Sequence, residues 1–352
     1  MKLLVRGTNW LGDAVMSIPA LREVRRAHTG WEITILARPW VADLYGREDF
    51  CDRILAYEHN GRHAGVRGKL RLAAELRAER FDAAILLQNA FDAALLAWLA
   101  RIPRRVGYGR DGRGFLLTQA VPVPKSGETP SHQRYYYLEL LRRAGVIDAL
   151  PRCDDIRLGA APRAAEEGRE YWCRQGAAEQ TWVGISPGAA YGAAKQWLPE
   201  RFAEAALELA SRLNAGVAVF GSAAETALCA AVAEKIGPRA RNLAGQTSLA
   251  EFINLAAACA VFLTNDSGAM HVASALGVPT VAVFGATDDK ATGPSGPRAK
   301  VVRRHVDCSP CLLRECPIDH RCMTGVEASH VVEEAFSLLQ EQPVETRRPG
   351  NT

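Results

Sequence analysis

Short unbroken apolar runs along the chain alternate with segments whose apolar residues recur every three or four positions. "KLLV" is followed by "VMSIPALREVRRAH", "EITILA" by "WVADLYG", and "AAILL" by "DAALLAWLARI" and then "RRVGY". The unbroken runs read as strands buried on both faces, and the periodic segments as helices packed against them. Strands alternating with helices predict a parallel sheet in an α/β domain. "YYYLELLRRAGV" (135–146) adds a further amphipathic helix. The texture then changes over 147–180, which holds Pro151, Pro162 and a polar, charged, helix-like segment, so an interdomain linker is placed at about 150–178. A second alternating series follows: "TWVGISPG", "FAEAALELASRL", "GVAVFGS", "ETALCAAVAEKI", "ARNLAG", "AEFINLAAACA", "VFLTND", "AMHVASALG" and "PTVAVFG". The expectation is an α/β protein of two doubly wound, Rossmann-like domains facing each other across a cleft. They span residues 1–165 and 166–327. A C-terminal helix and tail, 328–352, packs back on the first domain. In such sheets ligands sit beyond the carboxyl ends of the strands, in the loops that open helices.

The bulk numbers agree with this picture. A chain of 352 residues is long for one core, which favours two domains. With 48% hydrophobic and 23% charged residues it has the composition of a soluble globular enzyme. No apolar run approaches the roughly 20 residues needed to span a bilayer. The start "MKLLVRGTNW" puts Arg6 and Asn9 where a signal peptide would continue its apolar stretch, so a cytoplasmic protein is expected. The net charge of +4 is uneven. Residues 1–125 hold 20 Lys and Arg against 13 Asp and Glu, a net +7, which leaves −3 for the remainder. The asymmetry predicts an anionic partner for the first half, with ordinary surface arginine as the alternative.

Phosphate-friendly loops are concentrated in the second half. "ISPGAAYGAAKQW" puts Gly188 and Gly192 near Lys195, so backbone N–H groups can approach an anion beside a point charge. "VFGSAAE" turns on Gly221 and Ser222, with Glu225 three residues past the serine. That carboxylate either accepts from ribose hydroxyls or completes a capping box on the next helix. "FLTNDSGAMHVASALG" ends a buried strand at Asn265-Asp266-Ser267-Gly268 and starts a helix. The free N–H groups at Gly268 and Ala269 favour a diphosphate there, with His271 within reach of the same ligand.

The first half is different. In "RGTNWLGDAV" the frame Gly7-x4-Gly12 has P-loop spacing, but Asp13 stands where that loop needs lysine. "NGRHAGVRGKLR" holds Arg62, Arg67, Lys69 and Arg71 with three glycines, and is read as a mobile loop that closes over phosphates. "RIPRRVGYGRDGR" adds Arg101, Arg104, Arg105, Arg110 and Arg113 against Asp111 alone. No nucleic-acid module or interleaved aromatic platform accompanies these patches, so nucleic acid is not expected as a partner. Peripheral attachment to an anionic inner leaflet fits them better.

Nine cysteines in a cytoplasmic chain are expected to be reduced. Four are clustered as Cys308-x2-Cys311-x4-Cys316-x5-Cys322, with His305 and His320 close by. Structural zinc prefers four Cys or His ligands in separated pairs. This compact run departs from that spacing. The reading is therefore no metal, with reduced thiols or one disulfide, and a structural zinc on these four cysteines is kept as the alternative.

The segments "LLVRGTNWLGDAVMSIPALREVR", "RIPRRVGYGRDGRGFLLT", "SPGAAYGAAKQWLPERFAE", "VFGSAAE", "RNLAGQTSLAEFINLAAAC" and "TNDSGAMHVASALGVPTVAVFG" together resemble the family 9 glycosyltransferases of the GT-B fold. They are spread over residues 1–290, and the pairing of G-x-x-x-x-G-D with NDSG-x-MH is specific. The resemblance implies an inverting transfer of L-glycero-D-manno-heptose from ADP-heptose to the first heptose of the lipopolysaccharide inner core. Another transferase of the same family, acting on a different core position or with a different sugar, or less readily a GT-B sugar-nucleotide epimerase, is the alternative. It implies a C-terminal domain that binds ADP-heptose through Gly188, Tyr191, Lys195, Ser222, Glu225, Thr247, Leu249, Asp266, Ser267, Gly268 and His271. It implies an N-terminal domain that binds a phosphorylated lipid A–Kdo–heptose acceptor, for which Asn9, Gly12, Arg62, Arg67, Lys69, Arg104 and Arg105 are the candidates. Asp13 matches the family's general base, and Lys195 would act on the leaving group. No cofactor is required, a monomer is expected, and the site of action is the cytoplasmic face of the inner membrane. Some relatives place two threonines just before the lysine. Here those positions are Ala190 and Tyr191, so phosphate contacts there would come from backbone N–H groups or the Tyr191 hydroxyl.

Overall fold

In the middle of each sheet the apolar runs become strands buried almost throughout, because a parallel sheet covered by helices on both faces has no wet side, while the edge strands are only partly buried. The computed structural model describes residues 1–341 and divides into two compact units. Residues 1–160 with 248–250 form the first, and 161–247 with 251 onward the second.

The first unit runs β1 (Lys2–Arg6), α1 (Leu11–Ala27), β2 (Glu32–Ala37), α2 (Pro39–Tyr45), β3 (Arg53–Ala56), α3 (Gly65–Ala78), β4 (Ala83–Leu86), α4 (Phe91–Leu99), β5 (Arg104–Tyr108), β6 (Gln119–Val121) and α5 (Gln133–Arg143). Its six strands are all parallel, in the order β3-β2-β1-β4-β5-β6. One core cluster joins Leu4, Leu36 and Leu86 of the sheet to Leu72 and Leu76 of α3 and Leu96 of α4.

The second unit runs α6 (Ala161–Arg174), β7 (Thr181–Ser186), α7 (Pro199–Arg212), β8 (Ala215–Val219), α8 (Thr226–Ile236), β9 (Ala240–Asn242), α9 (Leu249–Ala257), β10 (Val261–Asn265), α10 (Gly268–Ala275), β11 (Thr280–Phe284), α11 (Asp289–Thr292), β12 (Ala299–Arg303), α12 (Arg321–Thr324) and α13 (Ala328–Gln340). Its sheet is again wholly parallel, in the order β12-β11-β10-β7-β8-β9. Counted from its own first strand, each sheet has the 3-2-1-4-5-6 order of a dinucleotide-binding domain. The strand order therefore reverses between β1 and β4, and between β7 and β10. Loops diverge at those points, and ligands bind there.

Three sequence expectations are corrected. The basic stretch from Gly65 onward is not a mobile loop but α3, because Gly68, Leu72, Ala73 and Leu76 fall at helical spacing and are buried. The helix-like segment assigned to the linker is α6, which belongs to the second unit. The last helix, α13, does not bury its apolar face on the first domain. Val331, Val332, Ala335 and Leu338 lie in the second unit's own core, where α13 packs on α7, β11 and β12. The tail beyond 341 lies outside the described residues.

Candidate active site

At the reversal point of the second sheet, one buried amide ties the two diverging loops together. Asn265, the last residue of β10, donates from Nδ2 to the Pro187 carbonyl at 2.7 Å and accepts at Oδ1 from the Trp197 N–H at 2.9 Å. The loop that carries Lys195 is thereby held against the start of α10. Lys195 Nζ donates to Asp266 Oδ2 at 2.5 Å, and the Thr287 hydroxyl donates to the same oxygen at 2.5 Å. The Lys195 and Asp266 side chains are only 13% and 6% exposed, so this is a largely desolvated pair with fixed geometry. Ser267 caps α10, its hydroxyl accepting from the Met270 N–H at 3.4 Å and lying 3.1 Å from the Thr264 hydroxyl. Gly268 opens the helix, and His271 is buried within its first turn. A fixed cation beside a helix N-terminus is suited to a diphosphate.

Neighbouring loops complete this edge. Glu225 Oε2 accepts from both the backbone N–H and the hydroxyl of Ser222, each at 2.8 Å, forming the capping box of the turn that leads α8. A Cβ on Gly188 would lie 2.0 Å from Glu225 Oε1, so this carboxylate packs directly on the Gly188 backbone. Thr247 follows β9, and Leu249 opens α9. The Tyr191 hydroxyl, expected as a phosphate contact, instead donates to the Leu312 carbonyl at 2.9 Å. Its ring carries Lys195 Nζ at 4.8 Å and the Arg314 guanidinium at 5.2 Å from the centroid.

The first sheet repeats the device. Gln88, in the loop after β4, accepts at Oε1 from the Asn9 N–H at 2.9 Å and so ties it to the loop after β1. Asp13 lies in the first turn of α1, and the Tyr137 hydroxyl of α5 donates to its Oδ1 at 3.2 Å. Burial first, and the Asp13 charge second, hold the Tyr137 phenol well above its ordinary range. Tyr137 therefore remains a proton donor that orients the carboxylate.

The model of glycosyltransferase family 9 (heptosyltransferase) matches residues 69–321. Lipopolysaccharide heptosyltransferase 2 of Escherichia coli K12 is 32% identical, over 97% of this chain and 99% of that protein. The Salmonella typhimurium protein of the same name is 31% identical, over 98% and 100%. The chain belongs to glycosyltransferase family 9. The solved structure of E. coli ADP-heptose lps heptosyltransferase II superimposes with a TM-score of 0.78 at 29% identity, covering 96% of this chain and 98% of that one. The fold is accordingly GT-B, and the epimerase alternative gives way to a glycosyltransferase.

The remaining candidates of this glycosyltransferase are dispersed. Asn9 Oδ1 accepts from Arg6 at 2.7 Å and Arg38 at 3.2 Å, and Gly12 lies in the first turn of α1. Lys69 of α3 is 2.5 Å from Asp92, Arg62 pairs with Glu75 at 2.6 Å, and Arg67 is exposed on α3. Arg104 and Arg105 begin β5, and therefore lie at the amino edge of the parallel sheet, opposite the loop after β1. Arg105 donates to the Leu116 and Ile102 carbonyls, and Arg104 donates from Nη2 to Gln119. The structure does not bring these two to the edge that carries Asp13.

Cys308 is exposed, Cys311 and Cys316 are half-buried and Cys322 is buried, all as free thiols. Burial chiefly, then the neighbouring Cys308, Cys316 and Cys311, push the Cys322 thiol up. Among the described residues no three His, Cys, Asp or Glu side chains form a group that could hold a metal ion. Thr287, Tyr137 and Gln88 were not found from the sequence, because each is an ordinary polar or aromatic residue with no local pattern to mark it. Asn265 lies in the NDSG motif, but the motif gave no sign that its amide ties two loops together.

Proposed function

We propose that this glycosyltransferase moves L-glycero-D-manno-heptose from ADP-heptose to the first heptose of the lipopolysaccharide inner core, with inversion at the anomeric carbon. The second domain takes the donor and the first the acceptor. Asp13 accepts the proton of the attacking hydroxyl as the new C–O bond forms. The bond from the anomeric carbon to the diphosphate breaks, and ADP leaves with its electron pair. Lys195 and the N–H groups that open α10 offset the charge developing on the diphosphate. On donor binding, Lys195 turns part of its charge from Asp266 to the diphosphate, while Thr287 keeps Asp266 hydrogen-bonded.

The observation that carries the reading is the full-length similarity to proteins named heptosyltransferase 2, together with a carboxylate in the first turn of α1 that a buried phenol orients. The acceptor is a lipid-linked sugar, so the enzyme works peripherally at the cytoplasmic face of the inner membrane. The +7 of residues 1–125 supports this, and among the described residues no helix is long and apolar enough to cross a membrane. The test is incubation with ADP-heptose and truncated core acceptors, read by mass spectrometry, with the product linkage assigned by NMR. Transfer only onto an acceptor that already bears one heptose, giving an α-linkage from a β-linked donor, is expected. Transfer onto bare Kdo₂-lipid A would move the enzyme to the preceding step.

A further inference from the structure

Two guanidiniums stand together, buried, at the carboxyl edge of the first sheet. Arg6 closes β1 and Arg38 follows β2, and they are 3% and 9% exposed. Both lie over the ring of Tyr57, which follows β3, at 5.4 and 4.3 Å from its centroid. Arg6 donates to the neutral carbonyl oxygens of Gly7 and Leu36 and to Asn9 Oδ1, and Arg38 donates to the same Oδ1. The carboxylate that acts on both is Asp92, but it is already 2.5 Å from Lys69 Nζ and accepts from the Tyr57 hydroxyl at 2.9 Å. Arg6 Nε and Arg38 Nη1 are buried with no hydrogen-bond partner among the described residues. Burial first, and the adjacent Arg38 second, push the Arg6 guanidinium down to about 10.

Arg6, Arg38 and Lys69 against Asp92 leave a net charge of +2 around two buried guanidiniums. Two like charges in low dielectric are costly unless a counter-charge joins them. Arg6 has a structural use as a brace for the turn at 7–9. Arg38 gives that turn one hydrogen bond at 3.2 Å and keeps a second edge that the brace does not use. Asn9, which both arginines hold, is four residues before Asp13.

We propose that Arg38 and Arg6, seated on Tyr57 with Lys69 beside them, form an oxyanion subsite that holds a carboxylate or phosphate of the acceptor next to Asp13. The planar fork of a guanidinium matches either group bidentately. The proposal rests on the reading that the first domain takes the acceptor, and it replaces Arg104 and Arg105 as the residues that meet its charge.

The test uses the full chain, with Arg38→Gln and Arg38→Lys as variants and Arg6 left in place because it braces the turn. Binding is measured by calorimetry with three probes: inorganic phosphate, the methyl glycoside of Kdo, and that glycoside with its carboxylate reduced to an alcohol. The wild type is expected to bind at least one of the two anions and not the reduced glycoside. Arg38→Gln should weaken that anion by about ten- to a hundredfold, the range for a hydrogen bond to a charged group. Arg38→Lys should retain part of the affinity, and ADP-heptose should bind all three proteins alike. Which anion responds identifies the source. Loss of anion binding should lower kcat/KM for the lipid acceptor by a similar factor.

Equal anion affinity in wild type and Arg38→Gln, or no anion binding in either, overturns the subsite. Anion binding that Arg38→Gln abolishes without any change in acceptor kcat/KM overturns its assignment to the acceptor. A wild type that transfers no heptose, yet binds the anion in an Arg38-dependent way, would instead sink the proposed reaction and leave the subsite standing.

Discussion

Asp13 is the residue on which the proposed chemistry turns, and its neighbours make the test clean. A general base contributes about 10²–10⁴-fold in rate, so Asp13→Asn should cut kcat by that order while ADP-heptose affinity stays unchanged by calorimetry. A fall in donor affinity would put Asp13 on the wrong substrate. Tyr137→Phe removes only the hydroxyl that orients the carboxylate, so kcat should fall by about tenfold, consistent with one hydrogen bond to a charged group, with donor KM unmoved. Lys195→Ala should behave oppositely. It takes a cation from the diphosphate site and leaves Asp266 buried with Thr287 alone, so the Kd for ADP-heptose should rise by about tenfold or more. Asp13, Lys195 and Asp266 could be picked out from loop motifs. Tyr137 could not, since it is 124 positions from Asp13, and Thr287 is 21 positions from Asp266.

Among the elements, the loop that carries Lys195 depends on the cysteine-bearing segment that follows β12. Besides the Tyr191 hydroxyl on Leu312, the Ala194 N–H donates to the Arg314 carbonyl at 2.9 Å, and His320 Nε2 lies 3.1 Å from the Ala194 carbonyl. Gly192 is where the two backbones cross: an added Cβ would lie 2.3 Å from the Arg314 carbonyl oxygen. Gly192→Ala should therefore push the loops apart, lowering stability by about 1–3 kcal/mol by thermal melting and raising donor KM more than it lowers kcat. If melting and donor KM are both unchanged, the brace does not position Lys195. The same kind of contact explains why α3 looked like a loop. Gly68 is not there for flexibility, since a Cβ on it would lie 2.2 Å from the His63 carbonyl carbon. A glycine needed for close approach and a glycine needed for mobility look alike in a sequence.

For the whole molecule, the arginine excess of the first half is largely engaged rather than free. Asp52 is held below the ordinary carboxylate range by the Ile33 N–H, then by Arg25; Glu79 by Arg53; Glu128 by Arg143; and Glu139 by Arg142 and Arg143. Asp319 in the second unit is lowered by Arg321. A carboxylate whose folded pKa lies below its unfolded one adds stability above the unfolded value and loses it as pH falls through the folded one. The unfolded values are 3.8 for Asp and 4.5 for Glu. The melting temperature should thus be flat on the acid side down to about pH 5 and drop steadily below it. A melting temperature that holds level to pH 3 would show that these pairs contribute nothing. Arg6 and Arg38 stand outside this pattern, which is why they, rather than the exposed arginines, mark the oxyanion subsite.

Much of the architecture is written locally. Apolar runs of about the length of a buried strand, alternating with helical periodicity, suffice for two parallel sheets, and the strand-ending loops with Gly188, Asp266, Ser267 and Gly268 announce where a diphosphate would sit. Those features depend on residues a few positions apart. What tertiary structure alone decided depends on strands that are distant in sequence lying side by side. The reversal of strand order brings Gln88 to Asn9 and Asn265 to Pro187, the packing of α5 on α1 puts Tyr137 on Asp13, and the parallel direction of β5 sends Arg104 and Arg105 to the edge away from it. The parallel pairing of β1 with β2 buries Arg6 beside Arg38, because the ends of those strands are neighbours only once the sheet has formed.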